Sequence, residues 1–266
     1  MKKKKYIITI LLVSICVLSV ILIQRHSNQE IINKIYSHRG ASGEETEHSF
    51  PAYDLALLYG SKYIEQDLVT SKDGTLYVSH DDNAKRLTGV DHLYSDMTDE
   101  EINQLKTKDN HNILRLQDIF DRYKKTTNYV IELKENDKQI DLFNSIIKQN
   151  NMEDVVIVQA RTLTSLEKIK QTFPKMKTLL LAKDDIEAKN ACKADYVDIV
   201  SLNTKFMTKE TIDMIHQAKK EANFWTLNSM KDINQAIQLG ADSYFTNFTA
   251  KAIKLEKESR SFFQHK

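Results

Sequence analysis

From residue 35 onward, short β-branched and aromatic runs alternate with stretches whose apolar positions recur at helical spacing, the pattern of parallel strands joined by helices. The runs predict nine strands, at Ile35–Ser37, Tyr63–Thr70, Thr75–Ser79, Asn128–Leu133, Val155–Gln159, Lys177–Leu181, Tyr196–Ser201, Phe224–Leu227 and Ser243–Thr246. Helices are predicted at Ser49–Tyr59, Leu116–Lys124, Lys138–Gln149, Leu163–Thr172, Thr208–Ala222 and Lys231–Leu239. Thr98 with Glu101 reads as a capping box, and Gly60 and Gly240 stand just past the last apolar turn of their helices. No linker-like stretch or repeat interrupts this rhythm.

Nine strands is one more than an eight-stranded (β/α)8 barrel uses, and the surplus has a local cause. Tyr63–Thr70 and Thr75–Ser79 are too close for a helix between them, and Asp73-Gly74 is a two-residue hairpin signal. With Asp73 and Gly74 as the turn, Lys72 faces Thr75 and Asp67 faces His80. Glu65 and Asp67, two apart, share a face, and cross-strand partners share it too. One polar cluster of Glu65, Asp67 and His80 is therefore expected.

Upstream the pattern changes. Lys2–Lys5 precede Tyr6–Ile23, a run without a charge that spans about 27 Å as a helix, close to the thickness of a bilayer's hydrocarbon core. A cleaved signal peptide has a shorter apolar region and a small-x-small site, whereas Ile21, Leu22, Ile23 and Gln24 stand here. The expectation is a single-pass transmembrane anchor in the cell membrane, with the lysines in the cytoplasm and the folded domain outside it. Residues 1–30 then form the lysine cluster, anchor and short linker, 31–258 the barrel, and 259–266 a C-terminal tail.

Composition narrows the classes further. The chain carries 38 Lys plus Arg against 37 Asp plus Glu, and without Lys2–Lys5 the balance is slightly acidic, which argues against a nucleic-acid partner. Six Gly and two Pro argue against many-stranded all-β folds. The two cysteines, Cys16 and Cys192, fall on either side of the expected membrane segment's end and supply neither a disulfide framework nor a thiolate metal site.

Candidate chemistry gathers at the ends of strands, where a barrel builds its site. His38-Arg39-Gly40 ends the first strand, and NYVIELK places Glu132 at the end of an otherwise apolar run. A buried charge there calls for a partner or a metal. Glu65, Asp67 and Glu132 together make an all-oxygen set suited to Ca²⁺ or Mg²⁺, and salt bridges to Arg39 and Lys134 are the structural alternative.

The ordered motifs His38-Arg39-Gly40, Glu65-Gln66-Asp67, TSKDG at 70–74, His80-Asp81, Glu132-Leu133-Lys134, FWTLN at 224–228 and the closing Gly240 to Asn247 resemble the glycerophosphodiester phosphodiesterase family. The resemblance implies a phospholipase-C-like (β/α)8 barrel that hydrolyses glycerophosphodiesters to an alcohol and glycerol 3-phosphate with a bound divalent metal. It implies His38 and His80 as general acid and base, without saying which is which. It makes Glu65, Asp67 and Glu132 the metal ligands, and Arg39 and Lys134 the phosphate-binding cations. Trp225 is either an apolar wall for the substrate or core. A phospholipase of the same barrel type cleaving the other phosphoester bond, and a non-catalytic surface module, are the rival readings. No protein partner is expected; the substrate side extends to phospholipid-derived and polymeric glycerophosphates.

Two positions depart from the family pattern. His48 stands where an asparagine is usual, and its residue type leaves open a helix cap, a part in the site, or exposure. Gln66 stands between the carboxylates where an apolar residue is usual, and alternation points it to the opposite face. His92, His111 and His216 are expected at the surface, the first two in a polar stretch from Asp81 to Asn112 with room for a lid.

Overall fold

The computed structural model describes residues 34–264 and the isolated position Ser19. Its strands are β1 (Ile35–Ser37), β2 (Tyr63–Thr70), β3 (Leu76–Val78), β4 (Asn128–Leu133), β5 (Val156–Ala160), β6 (Lys177–Ala182), β7 (Ile199–Asn203), β8 (Glu221–Trp225) and β9 (Ser243–Thr246). The helices are α1 (Phe50–Leu58), α2 (Lys85–Thr88), α3 (Asp99–Gln104), α4 (Leu116–Tyr123), α5 (Ile140–Asn150), α6 (Leu163–Thr172), α7 (Asp185–Lys193), α8 (Lys209–Gln217), α9 (Met230–Leu239) and α10 (Thr249–Gln264). All strands but β3 pair in parallel, and β1 pairs with both β9 and β2, which closes an eight-stranded barrel. Among the described residues no helix is long and apolar enough to cross a membrane. The predicted anchor at 6–23 lies outside the described residues apart from Ser19.

Alternation along the strands sorts two cores. Ile64 and Leu68 of β2, Ile131 and Leu133 of β4, Val158 of β5 and Leu180 of β6 face outward into the large cluster under the helices. Tyr36, Val130, Ile157, Leu179, Ile199 and Phe245 face inward and pack the barrel's interior. Each strand is thus covered on both sides, the reason its sequence reads as a nearly continuous apolar run. Inward positions nearer the strands' C-terminal ends turn polar: Glu65 and Asp67 on β2, Glu132 on β4 and Gln159 on β5. Across β7, β8 and β9, Ser201, Asn223 and Ser243 satisfy one another at 2.6 and 2.8 Å, so this polar strip stays buried without cost in lost hydrogen bonds.

β3 is the surplus strand, as the hairpin reading requires. It runs antiparallel to the far half of β2, while β1 pairs only with the near half. The register differs from the expected one by a residue: Thr70 pairs with Leu76 and Leu68 with Val78, so Asp67 opposes Ser79 rather than His80. The turn is the cause. Ser71 accepts the Gly74 N–H on its carbonyl at 3.0 Å and the Thr75 N–H on its side chain at 3.0 Å, and Gly74 takes φ +86°, so five residues form the connection. His80 lies beyond the end of β3, in a bend rather than in the sheet.

Other differences are local. α8 stops at Gln217 and Lys219 turns at φ +59°, so β8 begins at Glu221, within the end of the predicted helix. α7 is not among the predicted helices because its buried face is only Ala188 and Ala191, too small to mark a hydrophobic period. The stretch from Asp81 to Asn112 is no bare loop. It carries α2, a 3-10 turn at Tyr94–Asp96 and α3 with its Thr98–Glu101 capping box. Tyr94, Met97, Ile102 and Ile113 pack there with Val69 and Tyr77 as a small third core.

Candidate active site

The first residues past β1 are fixed by backbone constraints. Gly40 takes φ +84°, and a Cβ there would lie 2.7 Å from the carbonyl carbon of Ala52, so only glycine lets the strand end close against α1. That closure leaves Arg39 at φ +58°, with its N–H donating to Glu65 Oε2 at 3.0 Å. His38 is held by Asn247 Oδ1 at 2.7 Å from Nδ1, and its Nε2 stands 3.8 Å from Glu65 Oε2.

Glu65, Asp67 and Glu132 each place a carboxylate oxygen within 4.8 Å of the others, and all three are buried. Register explains the proximity: Asp67 and Glu132 are lateral partners on β2 and β4, and Glu65 is two residues below Asp67 on the same face. Three carboxylates so close oppose one another's charge. Burial works against ionising Asp67, yet the hydrogen bond and charge of His48, together with the Arg39 guanidinium at 3.3 Å, hold it well below the usual carboxylate range. Glu132 goes the other way: burial and then the Asp67 charge push its carboxyl well above that range. Its Oε1 has no hydrogen bond, only Arg161 Nε at 3.2 Å. Buried oxygen donors short of partners and rich in charge fit a hard divalent cation.

His80 completes the cluster despite the altered register. It lines the same cavity, of about 120 Å³, as His38, Arg39 and the three carboxylates. Its Nδ1 meets Asp81 Oδ1 at 2.8 Å. Burial and the Arg39 charge lower its pKa, outweighing Asp81. Lys134, the first residue past β4, is half-buried, and its charge reaches both Glu132 and His80. Trp225 lines the cavity and packs on the barrel's inner core. A larger cavity of about 710 Å³ opens at the opposite end, between the starts of β2, β4, β5 and β6, and brings in no histidine.

Several residues of the site were not legible beforehand. His48 is buried, with Nε2 donating to Asp67 Oδ2 at 3.0 Å and Nδ1 facing the Tyr53 hydroxyl at 2.9 Å. Of the three fates the sequence left open, it has the part in the site. Its φ of +56° explains why asparagine suits the position, since asparagine enters that region readily. Arg161 follows the end of β5 directly, a positional signal that carries no chemistry by itself, whereas Asn247, just past β9, ends the closing motif already read in the sequence. Glu47 joins Arg39 at 3.3 Å to Arg86 of the inserted segment at 2.6 Å, which ties that segment to the rim of the site. Of the remaining histidines among the described residues, His92 is exposed, His111 half-buried, and His216 bonds Asp242 at 2.7 Å on the barrel's outside.

The His48 contact makes a prediction. His48→Leu is expected to destabilise the protein by about 1–3 kcal/mol, because Asp67 loses a buried donor. His48→Asn should cost less, since its amide still donates and tolerates the backbone angle. Urea unfolding in the presence of a chelator measures both, and equal losses would show that the hydrogen bond is not what His48 contributes.

Among known proteins, the chain is 26% identical over 247 residues to a glycerophosphodiester phosphodiesterase of Bacillus altitudinis, covering 86% of this chain and all of the relative. It is 27% identical to a glycerophosphodiester phosphodiesterase of Bacillus subtilis, covering 83% of this chain and 85% of that one. The fold is shared with a phosphodiesterase of Oleispira antarctica in complex with the product sn-glycerol-3-phosphate, at TM-score 0.76, 20% identity and coverage of 84% and 96%. Residues 38–251 match the Glycerophosphoryl diester phosphodiesterase family, from His38 onward and over most of the barrel. With that match joined to the barrel and its strand-end cluster, the chain belongs to the glycerophosphoryl diester phosphodiesterase family.

Proposed function

We propose that this phosphodiesterase hydrolyses glycerophosphodiesters to an alcohol and glycerol 3-phosphate, outside the cytoplasm, with a divalent cation held by Glu65, Asp67 and Glu132. The observation that carries the reading is the pairing of this buried carboxylate triad with two histidines on the wall of one cavity. A bound cation would supply a positive charge against the developing negative charge of the phosphoryl oxygens. The chain's own residues do the rest. Arg39 and Lys134 bring fixed positive charge to the phosphate, and Trp225 walls the cavity on the β8 side. His38 and His80 exchange protons with the attacking and leaving oxygens. The glycerol 3-phosphate bound to the Oleispira antarctica structure supports the choice of product, and the lysine-flanked run at 6–23 supports attachment to the outer side of the cell membrane.

The test is the release of glycerol 3-phosphate from glycerophosphocholine and glycerophosphoglycerol, with and without chelator, on purified protein and on intact cells. Expected is release that a chelator abolishes and that Ca²⁺ or Mg²⁺ restores, measurable on unbroken cells. A phosphomonoester headgroup as product would establish the phospholipase reading instead. Activity that appears only after lysis would overturn the location.

A further inference from the structure

We propose that Gln159 is a fourth protein oxygen ligand of the cation site, and that it biases the site toward Ca²⁺ over Mg²⁺. The inference rests on the cation reading given above. Gln159 sits on β5 directly beside Glu132 on β4, which sits beside Asp67 on β2, so the three side chains form one row inside the barrel. It is 1% exposed and lines the same cavity as the carboxylates.

The orientation of its amide is fixed by charge. Nε2 donates to Glu65 Oε1 at 2.9 Å, and the flipped amide would set its oxygen against that carboxylate. Oε1 is therefore turned away from Glu65, and it has no hydrogen-bond partner among the described residues. Buried carbonyl oxygens are seldom left in that state. The neighbouring Glu132 Oε1 also lacks a hydrogen bond and has only the Arg161 guanidinium at 3.2 Å, so two buried oxygens without a hydrogen bond belong to lateral partners of one row. A single oxygen-seeking ion answers both.

An amide oxygen adds coordination without adding charge. Ca²⁺ takes six to eight oxygens in flexible geometry, whereas Mg²⁺ takes six and retains several waters. A fourth protein oxygen thus benefits Ca²⁺ more, and its loss is more easily made good by water around Mg²⁺.

The experiment uses the purified full chain and a Gln159→Leu variant. Luminescence lifetimes of bound Eu³⁺ in H₂O and D₂O count the waters on the ion, and calorimetry gives Kd for Ca²⁺ and Mg²⁺. Expected in the variant are one additional bound water and a Kd for Ca²⁺ raised by about 10–100-fold, with Mg²⁺ affected several times less. An unchanged water count, with both cations weakened alike, would mean that Gln159 only steadies Glu65 and would overturn the assignment. Unchanged affinities with a raised KM would make Oε1 an acceptor for a substrate hydroxyl, which also overturns it. If Gln159→Leu does not fold, Gln159→Asn, which withdraws the oxygen by one carbon, is carried through the same measurements with the same expectations. Wild-type protein that binds neither Eu³⁺ nor Ca²⁺ would refute the cation site itself rather than this residue's part in it.

Discussion

An alanine at His38 is expected to lower kcat for glycerophosphodiester hydrolysis by about 10²–10⁴-fold, the usual contribution of a positioned acid or base, with cation affinity and Tm nearly unchanged. The geometry separates these effects. His38 reaches the carboxylates only at 3.8 Å from Glu65, and its main tie is Nδ1 to Asn247, so its removal leaves the triad's own contacts in place. The ring rests edge-on against Phe245 at 6.2 Å, which fixes the direction of Nε2 into the cavity. His80 adds a pH signature. Because burial and Arg39 lower its pKa, it remains a neutral proton acceptor at more acidic pH than an ordinary histidine. The acid limb of kcat/KM in the wild type is expected below the ordinary histidine value, and to vanish in His80→Ala. Steady-state kinetics across pH, with calorimetric cation binding on the same samples, measures both. His38→Ala retaining more than a tenth of the wild-type kcat would remove it from the proton transfers.

How much of this was written in the sequence depends on the length scale of the physics. The barrel was legible because strands covered on both faces must be apolar throughout, and helices covered on one face must repeat that pattern every three to four residues. The carboxylate triad was legible for the same reason, since Glu132 interrupts an apolar run and Glu65 and Asp67 alternate on one side of β2. The β2–β3 register was not, because it depends on the Ser71 side chain capturing the Thr75 N–H, a contact no two-residue turn signal contains. His80 still arrived in the cavity because the chain bends after β3, so the right cluster followed from a register one residue off. His48, Gln159 and Arg161 were the harder cases. Each acts through a contact to a carboxylate on another element, beyond the reach of local sequence pattern, and nothing in local pattern or charge separates such a side chain from a surface one.

Glu132→Gln gives the largest expected effect on cation binding, and it reverses an order of stability. In the protein without cation, the Glu132 carboxyl is raised above its ordinary value by burial and by Asp67. An acid whose folded pKa is raised binds its proton more tightly when folded, so its contribution is favourable below the unfolded value and is lost as pH rises through the folded one. Ionising Glu132 in the folded protein therefore costs stability, and a neutral isostere carries no such cost. In chelator, Glu132→Gln is expected to be more stable than wild type by about 1 kcal/mol or more, roughly 2–4 °C in Tm for a domain of this size. Asp67 works oppositely: its depressed pKa contributes stability above the unfolded value, lost as pH falls. The variant should therefore keep the acid sensitivity due to Asp67 while losing the decline toward higher pH. With saturating cation the order inverts. Wild type gains about 2.7 kcal/mol at a concentration a hundred times Kd, whereas the variant, having lost one of three carboxylates, gains little at that concentration. Thermal melts in chelator and in Ca²⁺ or Mg²⁺, at several pH values, show the crossing. A variant less stable than wild type in chelator would instead make the Arg161 pair at 3.2 Å the purpose of Glu132, because only a stabilising ion pair is weakened by removing the charge.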